Sequence, residues 1–208
     1  MKLRVIFLIL FVSSIFVYSE SVLELSNNGI ELKKYYDSFD ISNLWIMGQR
    51  IDWESGKSLG TSNNKKATHC SAFVAAALKN KGIYILRPPE HKTKDLANSQ
   101  FDWLNTKEAI DLGWTKIDGE NRYKLVQNLA NQGYFIVAVF RNKDDKKPGH
   151  IALIYPGILS DDELINNGPL LIQAGHINGK GITLRKGFEK HIEDWNTNNI
   201  EFYGYKIK

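Results

Sequence analysis

This sequence predicts an α+β fold with an antiparallel sheet, and three observations predict it. Helix-prone segments fill the first half of the chain. After Gly133 the pattern changes to short runs of β-forming residues, and the first two runs are joined by a charged turn, Arg141 to Gly149. Helices followed by strands, rather than the two in alternation, are the pattern of an α+β domain.

The chain begins Met1-Lys2-Leu3-Arg4 and then runs apolar from Val5 to Val17. That stretch is shorter than the roughly 20 apolar residues a membrane-spanning helix needs. A basic start, a short apolar run and a small-residue cut describe a secretory signal peptide, with cleavage expected after Ser19. The expected product is one exported domain, residues 20–208, periplasmic or secreted, with no stable membrane insertion. Losing Lys2 and Arg4 lowers the net charge from +4 to +2. Lys65-Lys66 and Lys146-Lys147 are short loop pairs, so nothing points to nucleic acid. Apolar residues at 43% and aromatic ones at 12% fit a globular protein.

Residues 20–50 read as a helix-prone lead-in, and 52–67, rich in Gly, Ser, Asn and Lys, as an exposed loop. The loop runs into Thr68-His69-Cys70-Ser71-Ala72-Phe73-Val74-Ala75-Ala76-Ala77-Leu78, a helix with Thr68 as N-cap and Gly82 as its stop. Phe73, Ala76 and Ala77 share a face with Cys70, which places the cysteine in the first turn of a buried helix. Pro88-Pro89 ends any element that precedes it, and further helices are expected around Lys94 to Asn98 and Tyr123 to Asn131. The strand runs are Tyr134 to Phe140, His150 to Tyr155, Leu170 to Ala174, Gly181 to Arg185 and Ile200 to Ile207.

The chain has one cysteine. Exported proteins usually use cysteines in disulfide pairs, and this one has no partner. A thiol at a helix start can be a nucleophile, because free backbone N–H groups and the helix dipole favour the thiolate. The same N–H groups can hold an oxyanion. It can equally be a small buried hydrophobe. A nucleophile needs a base, and His150, placed by Pro148-Gly149 at the head of an apolar strand, supplies a candidate. A third polar group must orient the imidazole. Gln173, flanked by apolar residues in Leu171-Ile172-Gln173-Ala174-Gly175, is the stronger candidate, since a buried amide needs a partner. His176, in the turn beyond, is the other. His91 and His191 sit in charged surroundings and read as solvated surface. His69 and Cys70, adjacent on one helix turn, cannot both face one ion, and no His-x-x-x-His or Cys-x-x-Cys pair occurs, so neither metal nor cofactor is expected. Trp103, Trp114 and Trp195 read as core or groove-lining aromatics.

Together, His69-Cys70-Ser71-Ala72-Phe73-Val74, Gly149-His150-Ile151-Ala152-Leu153-Ile154-Tyr155 and Leu171-Ile172-Gln173-Ala174-Gly175 resemble the NlpC-type cell-wall peptidases of the papain-like superfamily. The resemblance implies a papain-like fold, with N-terminal helices and a cysteine-bearing helix packed on a C-terminal antiparallel sheet. It implies Cys70 as nucleophile, His150 as base and Gln173 as the orienting residue of a cysteine amidase or peptidase acting on peptidoglycan peptides. The chain departs from the family pattern at His69, where Asp is usual, and at Ala72, where Gly is usual. The family's third residue is most often His, with Asn or Gln also tolerated in relatives. The long interval between Cys70 and His150 implies an insertion around residues 83–130. Two other classes share these residues: a thiol-dependent acyltransferase of transglutaminase type, which passes through the same acyl-enzyme, and a non-catalytic cell-wall binding module.

Overall fold

The computed structural model describes residues 24–61, 70–91 and 96–207. The expected leader and its cut after Ser19, the Thr68 cap and His69 lie outside the described residues.

Ser26 opens α1 (Asn27–Asp37), its hydroxyl accepting from the Gly29 N–H, a standard N-cap. β1 (Gln49–Ile51) and β2 (Ser58–Thr61) then form a two-stranded antiparallel ribbon. Residues 58–61 are fully exposed but are a strand, where a loop is expected from composition; pairing with Gln49 to Ile51 overrides the polar sequence. α2 (Cys70–Lys79) is buried almost all round, from Cys70 to Leu78 apart from Ala72. It ends as its sequence predicts. The Gly82 N–H reaches Lys79 O and the Ile83 N–H reaches Leu78 O, with Gly82 at φ +71°, a conformation glycine adopts without strain.

The middle of the chain holds α3 (Leu96–Leu104), α4 (Lys107–Asp111), β3 (Thr115–Ile117) and α5 (Arg122–Asn131). α4 and β3 go beyond the expected elements. Thr106, capping through the Ala109 N–H, starts a helix too short for a periodic signal. β3 is three residues long and exists because it pairs with a distant strand.

β4 (Phe135–Phe140), β5 (His150–Ile154), α6 (Asp161–Asn167), β6 (Leu170–Gln173), β7 (Gly179–Thr183), α7 (Leu184–Gly187), a 3-10 turn at Glu189–His191, α8 (Ile192–Asn196) and β8 (Glu201–Tyr205) complete the chain. Ser160 and Glu163 form a reciprocal capping box at the start of α6. The strand expected to run to Arg185 stops at Thr183, because the Thr183 hydroxyl accepts from the Lys186 N–H and starts α7.

The mixed α+β architecture is as expected, with a six-stranded sheet ordered β3-β8-β4-β5-β6-β7 and every pair antiparallel. β4 and β5 are buried at every residue, which explains their unbroken apolar sequence. Val137, Val139, Ile151 and Leu153 pack on one face with Phe73 and Val74 of α2. Ile136, Ala138, Ala152 and Ile154 pack on the other with Val126, Ala130 and Phe188. Trp103 and Trp114 lie in the first core, and the half-buried Trp195 stacks on Tyr123 at 5.1 Å. Truncating Phe73 to alanine in so complete a core costs about 3–5 kcal/mol.

Candidate functional site

Cys70 is the first residue of α2 and is 4% exposed. α2 packs against β5, so the helix start lies by the head of that strand. The Tyr155 N–H points to Leu170 on β6, and N–H groups two and four residues back along a strand point the same way. The β5–β6 pairing runs only through Leu153↔Ile172 and Ile154↔Leu171, so the Ile151 N–H lies beyond the end of β6. It is turned toward Cys70 instead, and with the backbone N–H groups of Ser71 and Cys70 it favours the thiolate against burial.

His150 is the first residue of β5 and Gln173 the last of β6; both are buried. Each lies on the α5 side of the sheet, and the two side chains meet with His150 Nε2 3.0 Å from Gln173 Oε1. The amide orientation follows from its other contacts. Gln173 Nε2 donates to the carbonyls of Ile177 at 2.8 Å and Gly187 at 3.2 Å, so Oε1 is an acceptor. His150 Nε2 must therefore carry the proton, which leaves Nδ1 as the basic nitrogen. Phe188 packs edge-on against the imidazole with ring centroids 4.7 Å apart.

The surroundings leave little freedom. A methyl group on Gly149 would overlap the carbonyl oxygen of Phe140 and lie 2.5 Å from Asn98 Oδ1, so the residue before His150 has to be glycine. Asn98, on α3, accepts from the Asn142 N–H and donates to Lys147 O, tying down the loop that delivers His150. A methyl on Gly187 would lie 2.7 Å from Gln173 Oε1. Gly175, at φ +141°, lies close to both residues, and its built methyl would be 3.8 Å from both Cys70 Cβ and His150 Cε1. Those two atoms are thus at most twice that distance apart. Sulfur and imidazole share this space without a direct hydrogen bond between them among the described residues.

Cys70, His150 and Gln173 line one cavity of about 460 Å³. His176 lines it too but is exposed, and the residue bonded to His150 is Gln173. His191, expected at the solvated surface, is a correction. It is half-buried, its ring lies 4.6 Å from Phe140 and 6.3 Å from His150, and it lines the same cavity. Its charged sequence neighbours gave no hint of this, because the 3-10 turn alone aims it inward. A larger cavity, about 680 Å³ between α1 and the start of β4, is lined by Lys34, Lys81 and Lys206 and holds neither thiol nor imidazole.

Burial pushes the Cys70 thiol up, and the N–H groups of Ile151, Ser71 and Cys70 pull it back only in part. Burial also pushes His150 down, against the opposing effect of its bond to Gln173. His191 is lowered by burial and then by the charge of His150. The resting pair at neutral pH is a thiol beside a neutral imidazole, where the helix start alone would lead one to expect a thiolate.

Among the described residues no group of three or more His, Cys, Asp or Glu side chains could hold a metal ion, and no helix is long and apolar enough to cross a membrane. No family model matches the chain, and no curated protein matches it.

Proposed function

We propose that the protein is an exported cysteine hydrolase of the NlpC-type, papain-like kind, cleaving an amide bond in peptidoglycan peptides. The observation that carries this reading is the oriented His150–Gln173 pair, its tautomer set by the carbonyls of Ile177 and Gly187, in one cavity with a thiol at a helix start. The peptidoglycan substrate and the papain-like assignment rest on the sequence resemblance.

In this mechanism His150 Nδ1 takes the thiol proton as the Cys70 sulfur attacks the amide carbonyl. The N–H groups that favour the thiolate, those of Ile151, Ser71 and Cys70, are available to the developing oxyanion. Gln173 Oε1 accepts from the imidazolium and holds its plane, as the third member of a catalytic triad does. His150 then protonates the leaving amine, and a water deprotonated by His150 hydrolyses the thioester. The steps need no metal or cofactor.

The test is digestion of purified peptidoglycan by the mature protein, with the released fragments read by mass spectrometry. A new amine and carboxyl pair, absent with Cys70→Ala, is the expected result. Equal digestion by Cys70→Ala would remove the thiol from the mechanism.

A further inference from the structure

The cavity at Cys70 and His150 sorts charge in a way the whole chain does not. Lys147 and Lys190 line it, together with His176 and His191, and no Asp or Glu lines it among the described residues. Over the chain Lys and Arg number 27 against 23 Asp and Glu, so composition does not produce that imbalance. Of the other carboxylates near these cations, Glu189 pairs with Lys186 at 2.6 Å, Asp145 with Arg141 at 2.8 Å, and Asp194, which acts on His191, accepts from Asn199 Nδ2 at 3.1 Å; none of them lines the cavity. Lys147 pairs with Asp144 at 3.9 Å, a long contact between two exposed side chains that an anion in the cleft can replace. Lys190 makes no ion pair among the described residues.

The cavity walls also include Met47, Pro148 and Ile177, and low-dielectric walls concentrate the field of nearby ammonium groups. Lysine, a point charge on a flexible stem, suits an anion whose position varies, where arginine would demand a bidentate fit.

We infer that this cleft recognises anions beside Cys70, through Lys147 and Lys190, so that the preferred substrate is an amide with a carboxylate close to the scissile bond. The substrate part of this inference rests on the hydrolase reading; the charge recognition does not.

Two experiments keep them apart. The first compares alkylation of Cys70 by iodoacetate and by iodoacetamide, which differ in charge but little in size. The ratio of their rates is normalised to that of the urea-unfolded chain. At low salt the folded protein is expected to favour iodoacetate by about tenfold, the lower end of what a charge-lined cleft gives, with the preference fading as salt screens it. In a Lys147→Gln, Lys190→Gln double variant the normalised ratio falls toward one. A ratio unchanged by the double substitution overturns the inference, and because both lysines are exposed, the variant is expected to fold.

The second experiment measures kcat/KM on matched peptides with Glu or Gln next to the cleaved bond. A preference for Glu of about tenfold is expected, lost in the double variant. Cleavage of both peptides alike, with a flat alkylation ratio, leaves the hydrolase and removes the selectivity. A charge-dependent alkylation ratio with no cleavage of any amide removes the hydrolase and keeps the anion site.

Discussion

The imidazole of His150 donates from Nε2 to Oε1 of Gln173 across 3.0 Å, joining the first residue of β5 to the last residue of β6. The geometry makes Nδ1 the nitrogen free to accept a proton, and it ties the chemistry to the ends of two paired strands.

Removing the Gln173 amide leaves the His150 Nε2–H and the carbonyls of Ile177 and Gly187 short of partners in a buried place. Gln173→Ala is expected to lose about 1–3 kcal/mol of stability in urea titration. It should also lower kcat by about 10- to 100-fold, part of what an oriented acid–base group contributes. Gln173→Glu puts a carboxylate on the imidazole, which raises the His150 pKa and moves the acid limb of the pH–rate profile upward. A merely structural role for Gln173 would leave that limb in place.

Gly187→Ala adds a methyl 2.7 Å from Gln173 Oε1 and 2.6 Å from Leu171 Cδ1. The amide must shift by some tenths of an ångström to admit it. Misplacement of a catalytic partner by about 1 Å can cost 10²-fold, so a kcat loss of about tenfold is expected, with KM little changed. Steady-state kinetics check it; kcat equal to that of the unaltered protein would mean the amide does not orient the base.

The two buried groups give opposite pH limbs. His150 is lowered below its ordinary 6.5 in the folded state, so the unfolded chain takes up the proton first. Stability therefore falls as pH drops below about 6.5, and levels off only below the lowered folded value. Cys70 is raised above its ordinary 9.0, so the unfolded chain loses its proton first, and stability falls as pH rises past that value. Thermal melts across this range should show a plateau between the two limbs. Replacing Cys70 with alanine should remove its share of the alkaline limb alone.

Loss of the Asn98 side chain frees the Asn142 N–H and the Lys147 carbonyl, both in the loop before His150. Asn98→Ala is expected to cost about 1–3 kcal/mol and to raise hydrogen exchange in residues 141–149. Exchange unchanged there would mean the loop is held by other contacts.

Much of this arrangement was legible in the sequence, for physical reasons. The Ala-rich segment with Gly82 behind it reads as a helix because Schellman closure needs a residue with positive φ there. Pro148-Gly149 before an apolar run puts His150 at a strand head, and the close approach of Phe140 and Asn98 explains the glycine. Gln173 stands out because an amide between apolar neighbours needs a partner, and its partner is His150. What could not be read depends on distant parts of the chain. β3 is a strand only because β8 lies beside it. His191 faces the cavity because a short turn after α7 rotates it inward. The Cys70 thiol is shifted upward because burial outweighs the backbone donors, a balance visible only once β5 is packed against the helix start.

In the proposed reaction the Cys70 sulfur becomes covalently attached to the acyl half of the substrate. The direct measurement is peptide mapping by mass spectrometry of protein quenched in acid during turnover. A substrate-derived mass is expected on the peptide containing Cys70, and none in Cys70→Ala. Turnover with Cys70 unmodified under conditions that trap thioesters, or an adduct on another residue, would contradict it.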